Sequence, residues 1–196
     1  MITGYPILDG LTGGFAKGNL ITIVGGTLTG RTMFTMNILR NQLNVDAPSR
    51  IAFMTAEMDA DDAEQKLLEL AGNEKDIERI KSLFAFCDVV KCCRDFEDFQ
   101  IKICQLVKEK NLDAVVIDSF HFLPFYDDLS PRKMSSVSRR LKLMMGNSIG
   151  YFYKVMNSSE LPFMFSASFG CPYVNLLYHS SLCYCEFQQK ATPKSN

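Results

Sequence analysis

The stretch LITIVGGTLTGRT, residues 20–32, decides the fold class. Leu20 to Val24 is short, apolar and rich in β-branched residues, the make-up of a buried strand. A glycine-rich turn begins at Gly25, and Met33 to Leu43 then has helical spacing. Strand, loop and helix succeed one another without a break. Gly25-Gly26-Thr27-Leu28-Thr29-Gly30-Arg31-Thr32 meets the pattern G-x-x-x-x-G-K-[ST] at every position except that Arg31 stands where lysine belongs. In such a loop backbone N–H groups converge on phosphate oxygens, helped by the positive end of the helix dipole. Thr32 is then expected to place its hydroxyl on Mg2+, and Arg31 to direct cationic donors at the β and γ phosphates. The bland alternative is a tight turn between strand and helix. Arginine keeps the charge but is planar, forked and bulkier than lysine, so binding is expected to survive the exchange better than transition-state geometry does.

Outward from this stretch the order repeats. Arg50 to Thr55 reads as a strand leading to Glu57 and Met58, with Asp59 or Asp61 as cap of a helix to about Leu70. Asp76 to Phe84 suggests a short helix and Phe84 to Val90 a strand. Phe96 to Lys108 is a helix with Phe96, Phe99, Ile103 and Leu106 or Val107 on one face. Leu112 to Ile117 is the most apolar strand candidate. A helix from Pro131 through Met144 is interrupted or kinked at Gly146 and Gly150 before Tyr151 to Met156, and Phe163 to Ser168 is the last clear strand. Strands that are apolar throughout and alternate with helices indicate an α/β fold with a mainly parallel sheet covered on both faces. The segment Cys171 to Phe187 has no clear period and stays unassigned. Residues 1–187 form one domain in this reading, and 188–196 a disordered tail.

A chain of 196 residues with 47% hydrophobic and 22% charged side chains can bury a substantial core without disulfides or a structural metal. The formal net charge of −1 gives no global basic field, so any contact with DNA must be local or shared between subunits. No apolar run reaches the roughly 18 residues that a membrane span needs, and the amino terminus lacks a basic stretch followed by an apolar one. A cytoplasmic protein with no membrane partner is expected. The 7 cysteines include no two C-x-x-C pairs at zinc spacing. They read as buried or surface thiols in a reducing compartment, with Cys92-Cys93 and Cys183-x-Cys185 the pairs open to oxidation.

Thr3-Gly4-Tyr5-Pro6-Ile7-Leu8-Asp9, Leu11-Thr12-Gly13-Gly14-Phe15 and Gly18-Asn19-Leu20 resemble the segment that directly precedes the phosphate loop in the RecA-like ATPase domain of DnaB-family replicative helicases. Ile51 to Met58 (IAFMTAEM) is similar to that family's strand ending in S-L-E-M, whose glutamate is the general base. The resemblance gives this role to Glu57, a carboxylate that would orient and deprotonate the water attacking the γ-phosphate. Ala114-Val115-Val116-Ile117-Asp118-Ser119 has the form of a Walker B strand, which implies Asp118 as the second Mg2+ ligand beside Thr32. Ser138-Arg139-Arg140-Leu141-Lys142 resembles the family's S-R-x-L-K helix, and Phe163 to Ser168 the strand after it.

The resemblance covers residues 3–168. It implies a RecA-like P-loop NTPase fold, ATP and Mg2+ as ligands, a homo-oligomer (a hexameric ring in the family) and single-stranded DNA as a candidate partner. Several departures set it apart. Ser168 stands where a glutamine sensor belongs, and the family's arginine finger and DNA-binding loops are not recognisable in Cys171 to Asn196. The family's amino-terminal primase-binding domain is also expected to be missing. His121, after the Walker B aspartate, replaces a polar family residue and reads as structural, and Arg139 and Arg140 read as a solvated helix face. Three functions fit these residues. One is an ATP-driven helicase motor; another is a hydrolysis-deficient relative that binds nucleotide, oligomerises or engages partners, which Arg31 and Ser168 favour. A recombinase or clock-type member of the superfamily is the third, and Thr3 to Gly18 argues against it. The chain by itself is expected not to unwind duplex DNA.

Overall fold

Side chains alternate between the two faces of a strand, and in this protein that alternation fills two separate cores. The computed structural model describes residues 1–16, 18–25, 28–126, 136–141, 143–144, 151–157, 174–179 and 182–187. Strands β2 (Ile51–Thr55) and β4 (Ala114–Asp118) are buried along their whole length. Ala52, Met54, Val115 and Ile117 point to one side. There they meet Phe96, Phe99, Ile103 and Leu106 of helix α6 (Phe96–Lys110), with Val137 and Leu141 of a helical stretch at 136–141. Ile51, Phe53, Ala114 and Val116 point to the other. They pack on Met36, Ile38 and Leu39 of α2 (Arg31–Gln42), Ala63 and Leu67 of α3 (Ala60–Ala71) and Ile80 of α4 (Glu74–Leu83). Helices therefore cover both faces of an α/β sheet.

Among the described residues the sheet has 7 strands in the order β3-β2-β4-β5-β1-β7-β6, adding β1 (Asn19–Gly25), β3 (Phe84–Asp88), β5 (Tyr151–Asn157), β6 (Val174–His179) and β7 (Leu182–Phe187). Every neighbouring pair is parallel except β6 with β7. The carboxyl ends of β1, β2 and β4 accordingly share one edge of the sheet, where α/β proteins place their ligands.

Most elements lie where periodicity puts them, and the exceptions have physical reasons. The strand expected over Phe84 to Val90 stops at Asp88, whose side chain accepts from the Lys91 amide and caps the single-turn helix α5 (Val89–Cys92). Tyr151 to Met156, read from sequence only as the segment after a kinked helix, is strand β5 between β4 and β1. Its three aromatic residues and Val155 are of the types that favour strands. The unassigned segment Cys171 to Phe187 contains β6 and β7. The expected helix start at Pro131, the glycines at 146 and 150, the strand expected over Phe163 to Ser168 and the tail 188–196 lie outside the described residues.

The amino-terminal segment folds back on itself around one carboxylate. Asp9 of helix α1 (Pro6–Thr12) accepts from the amide and hydroxyl of Thr3, both at 2.8 Å, and from the Gly4 amide at 2.9 Å. Asn41 and Gln42 at the end of α2 then donate to the carbonyls of Thr3 and Ile2. The segment is thereby tied to the helix that comes after the phosphate loop. Gly4 sits at φ 80°, and a Cβ there would come within 2.4 Å of the Asn41 side chain. Gly10, inside α1, has open space around it. Gly4→Ala is expected to lower stability by on the order of 2 kcal/mol through strain and crowding, whereas Gly10→Ala raises it by about 0.5 kcal/mol through reduced chain entropy in the unfolded state. Urea denaturation of the two variants measures both; a neutral Gly4→Ala would mean that Asn41 moves aside freely.

Candidate functional site

Three segments reach the common sheet edge, each for a local reason. After β1 the loop carries Leu28 at φ 61° and Gly30 at φ 85°, and Gly30 forms the left-handed start of α2. That conformation suits glycine because a Cβ would crowd the backbone. Leu28 itself is exposed. Arg31 and Thr32 come next in the first helical turn, whose first amides have no partner inside the helix and point towards the loop. Gly26 and Thr27 lie outside the described residues, and of Gly25 only the strand backbone is described.

After β2 the chain turns sharply. Thr55 Oγ1 donates to the Met58 carbonyl at 2.9 Å and accepts from the Met58 amide at 3.1 Å, which folds Ala56-Glu57-Met58 into a tight bend and turns Glu57 outwards. The Ala56 amide donates to the Asp118 carbonyl at 2.8 Å and fixes this bend to the end of β4.

Asp118 is fully buried. Its carboxylate accepts a hydrogen bond from the Ser119 hydroxyl at 3.1 Å, and the Thr32 hydroxyl lies close enough to favour its charged form. Ser119 Oγ also lies 3.3 Å from Glu57 Oε2. With one proton, that hydroxyl serves one carboxylate at a time. Burial pushes the Asp118 carboxyl above the ordinary carboxylate range. The nearby Glu57 charge adds to the rise, while the two hydroxyls and the Arg31 charge oppose it. Arg31, Thr32, Glu57 and Asp118, predicted separately from sequence, thus form one cluster.

Two buried atoms in this cluster have no hydrogen-bond partner among the described residues: Asp118 Oδ2 and Arg31 Nη1. Buried polar groups are seldom left so. A free carboxylate oxygen beside a threonine hydroxyl suits a hard cation such as Mg2+, and a free guanidinium nitrogen suits a phosphate oxygen. The residues present therefore fit both groups. His121 Nδ1 is likewise buried without a partner among the described residues, and its ring lies 4.1 Å from that of Phe122 in the 3-10 turn Phe120–Phe122. The two arginines read as a solvated face, Arg139 and Arg140, are both exposed, and Arg140 also pairs with Glu97 at 3.1 Å and lies over the Phe96 ring. Arg140 thus fastens its helix to α6. Ser168 lies outside the described residues. Ser119, the last residue of the Walker B match, is the cluster residue to which the sequence assigns no role. A small hydroxyl directly after a buried acid was the available signal.

The raised Asp118 pKa has a stability consequence. A carboxyl whose folded pKa lies above its unfolded value favours folding while protonated, and that advantage is lost as pH rises through the folded pKa. Asp118→Asn removes the charge. It is expected to stabilise the ligand-free protein at neutral pH by on the order of 1 kcal/mol, with the gain shrinking as pH falls towards about 4. Thermal denaturation across that range measures it, and a destabilised Asn variant at neutral pH would contradict the assigned burial cost.

No curated protein matches the chain. Among solved structures, a KaiC-like protein from the hyperthermophilic archaeon Pyrococcus horikoshii OT3 is similar over 81% of this chain and 70% of that one, with a TM-score of 0.62 and 24% identity. At that identity the likeness speaks for the fold, a RecA-like α/β sheet. The family model of the DnaB-like helicase C terminal domain matches residues 1–148, a stretch that takes in every contact of the cluster around Asp118. The chain therefore belongs to the DnaB-like helicase C-terminal domain family.

Proposed function

We propose that the cluster at the sheet edge is an ATP site that works with Mg2+. The observation that carries this reading is the pair of buried atoms of opposite charge without a partner among the described residues, Asp118 Oδ2 and Arg31 Nη1, in a cluster that includes the Thr32 hydroxyl. Thr32 and Asp118 would hold the metal. Residues 25–32 would wrap the phosphates, with Gly25, Gly26, Thr27, Leu28, Thr29 and Gly30 supplying backbone and Arg31 the charge. When bound, Mg2+ neutralises phosphate charge. Glu57, on its outward bend, takes the proton from the attacking water, and the Ser119 hydroxyl at 3.3 Å steadies its carboxylate.

Family membership extends the proposal to a ring of like subunits around single-stranded DNA, with hydrolysis coupled to unwinding, in the cytoplasm. A second reading stops at binding. Arg31 favours it, because a planar guanidinium at this packed position does not reproduce the compact charge of lysine between β and γ phosphates. On that reading the chain binds nucleotide without turnover and acts through oligomerisation or partner contacts.

Calorimetric titration with ATP and Mg2+ tests the binding claim. Heat release and a thermal shift are expected, with Asp118→Asn weakening Mg2+-dependent binding by about tenfold, equivalent to roughly 1.4 kcal/mol. No heat and no shift at millimolar nucleotide would sink it. Steady-state phosphate release separates the two readings. Arg31→Lys is expected to raise turnover several-fold, on the order of 1 kcal/mol of transition-state stabilisation. Turnover that stays at zero in both proteins would place the defect outside the phosphate loop.

A further inference from the structure

A second group of reactive side chains lies at the carboxyl end of β3, away from the cluster around Asp118. The single turn of α5 brings Cys92 back over the strand, so that its Sγ is 3.4 Å from Cys87 Sγ and 3.8 Å from Cys93 Sγ. Cys92 Sγ donates to the Asp88 carbonyl at 2.8 Å. The three differ in access: Cys92 is exposed, whereas Cys87 and Cys93 are buried. Burial, with Cys92 alongside, pushes the Cys87 and Cys93 thiols up to about 12.

We propose that Cys87 and Cys92 are a disulfide-forming pair, with Cys92 meeting an oxidant of the hydroperoxide class and Cys87 closing the bond. The Cys92 thiolate attacks one peroxide oxygen, the O–O bond breaks, the departing hydroxide or alkoxide takes up the proton the thiol gave up, and Cys92 becomes a sulfenic acid. Cys87 sulfur then attacks Cys92 sulfur, the S–O bond breaks, and the Cys87 thiol proton passes to the leaving hydroxyl, which departs as water. Two thiols lose two electrons and two protons, and the hydroperoxide is reduced to one alcohol and one water, or to two waters where it is hydrogen peroxide. Closing the bond requires the sulfurs to move from 3.4 Å to about 2.05 Å, a shift that a one-turn helix at the surface can make.

The alternatives fit less well. Cys93 is adjacent in sequence to Cys92, and neighbouring Cα atoms about 3.8 Å apart fall short of the roughly 4.4 Å at which disulfide geometry begins. Among the described residues no group of three or more His, Cys, Asp and Glu side chains is placed to hold a metal ion. A thiol pair is left, of the transient kind found in reducing compartments.

The pair sits on a relay to the neighbouring turn. Asp88 caps α5 and, with Asp59, holds the Lys91 ammonium, and Asp59 is the residue before α3, two positions after Glu57. Drawing Cys92 towards Cys87 breaks its bond to the Asp88 carbonyl, loosens α5 and releases Lys91 from its two carboxylates. None of this rests on nucleotide binding.

The test uses the whole chain, reduced and then treated with hydrogen peroxide. Free thiols are blocked, and peptides are mapped by mass with and without dithiothreitol. A reversible Cys87–Cys92 link is expected. Cys92→Ser, a change at an exposed site, abolishes it, and Cys93→Ser leaves it intact. Hydrogen exchange in the first turn of α3 is expected to quicken about tenfold on oxidation, as local opening becomes easier. A link through Cys93, oxidation of Cys92 with Cys87 left free, or protection of the thiols by zinc would overturn the pair. An oxidised chain whose α3 exchange is unchanged would overturn the relay.

Discussion

The carboxylate of Asp118 is the constraint around which this end of the molecule is organised. It is taken wholly out of water at the tip of a central strand, a transfer that costs several kcal/mol unless hydrogen bonds or charges answer it. Two hydroxyls answer in part. Thr32 reaches it from α2, although β5 separates β4 from β1 in the sheet, and Ser119 reaches it from the next position in the chain. The Asp118 carbonyl, meanwhile, holds the Ala56 amide. One residue thus joins the helix after β1, the bend after β2 and the end of β4.

That arrangement is electrostatically incomplete, and the incompleteness is local. Glu57 adds negative charge beside an acid that is already desolvated, and Ser119 has one proton for two carboxylates. Arg31 contributes positive charge yet leaves Nη1 without a partner among the described residues. Elsewhere Asp9 takes three donors, Asp95 and Asp98 cap and pair at the start of α6, and among the described residues His121 Nδ1 is the remaining buried side-chain polar atom without a partner. Strain gathered at one edge of an otherwise satisfied fold is how a preorganised polar site differs from a core.

How much of this was legible depended on whether the signal was local. The strand Leu20 to Val24, the helices over α2, α3 and α6, and the buried strand before Asp118 all declared themselves by periodicity, because their neighbours in space are also decided by one apolar face. The cluster was legible residue by residue, since phosphate loops and acids at strand ends are local patterns. Its wiring was not. That Ser119 stands between two carboxylates depends on Glu57, 62 positions away in sequence. The place of Tyr151 to Met156 depends on β1, more than 120 residues earlier, and no window of sequence contains both. The role of Thr3, Gly4 and Asp9 also needed the structure. They form a clasp on Asn41, which gives a motif known by resemblance a mechanical reason.

The strand order also governs how the chain can be assembled in time. β1 lies between β5 and β7 and has no hydrogen-bonded neighbour among the described strands that come before residue 151. On a ribosome β1 emerges well before β5 and β7 and then waits, on the order of ten seconds, for both of its partners. During that interval β2, β3 and β4 can join and cover themselves with α3, α4 and α6, while β1 exposes two open edges of apolar backbone. Such edges invite pairing with other chains. The strand that leads into the phosphate loop is therefore the last of the central strands whose edges can be closed.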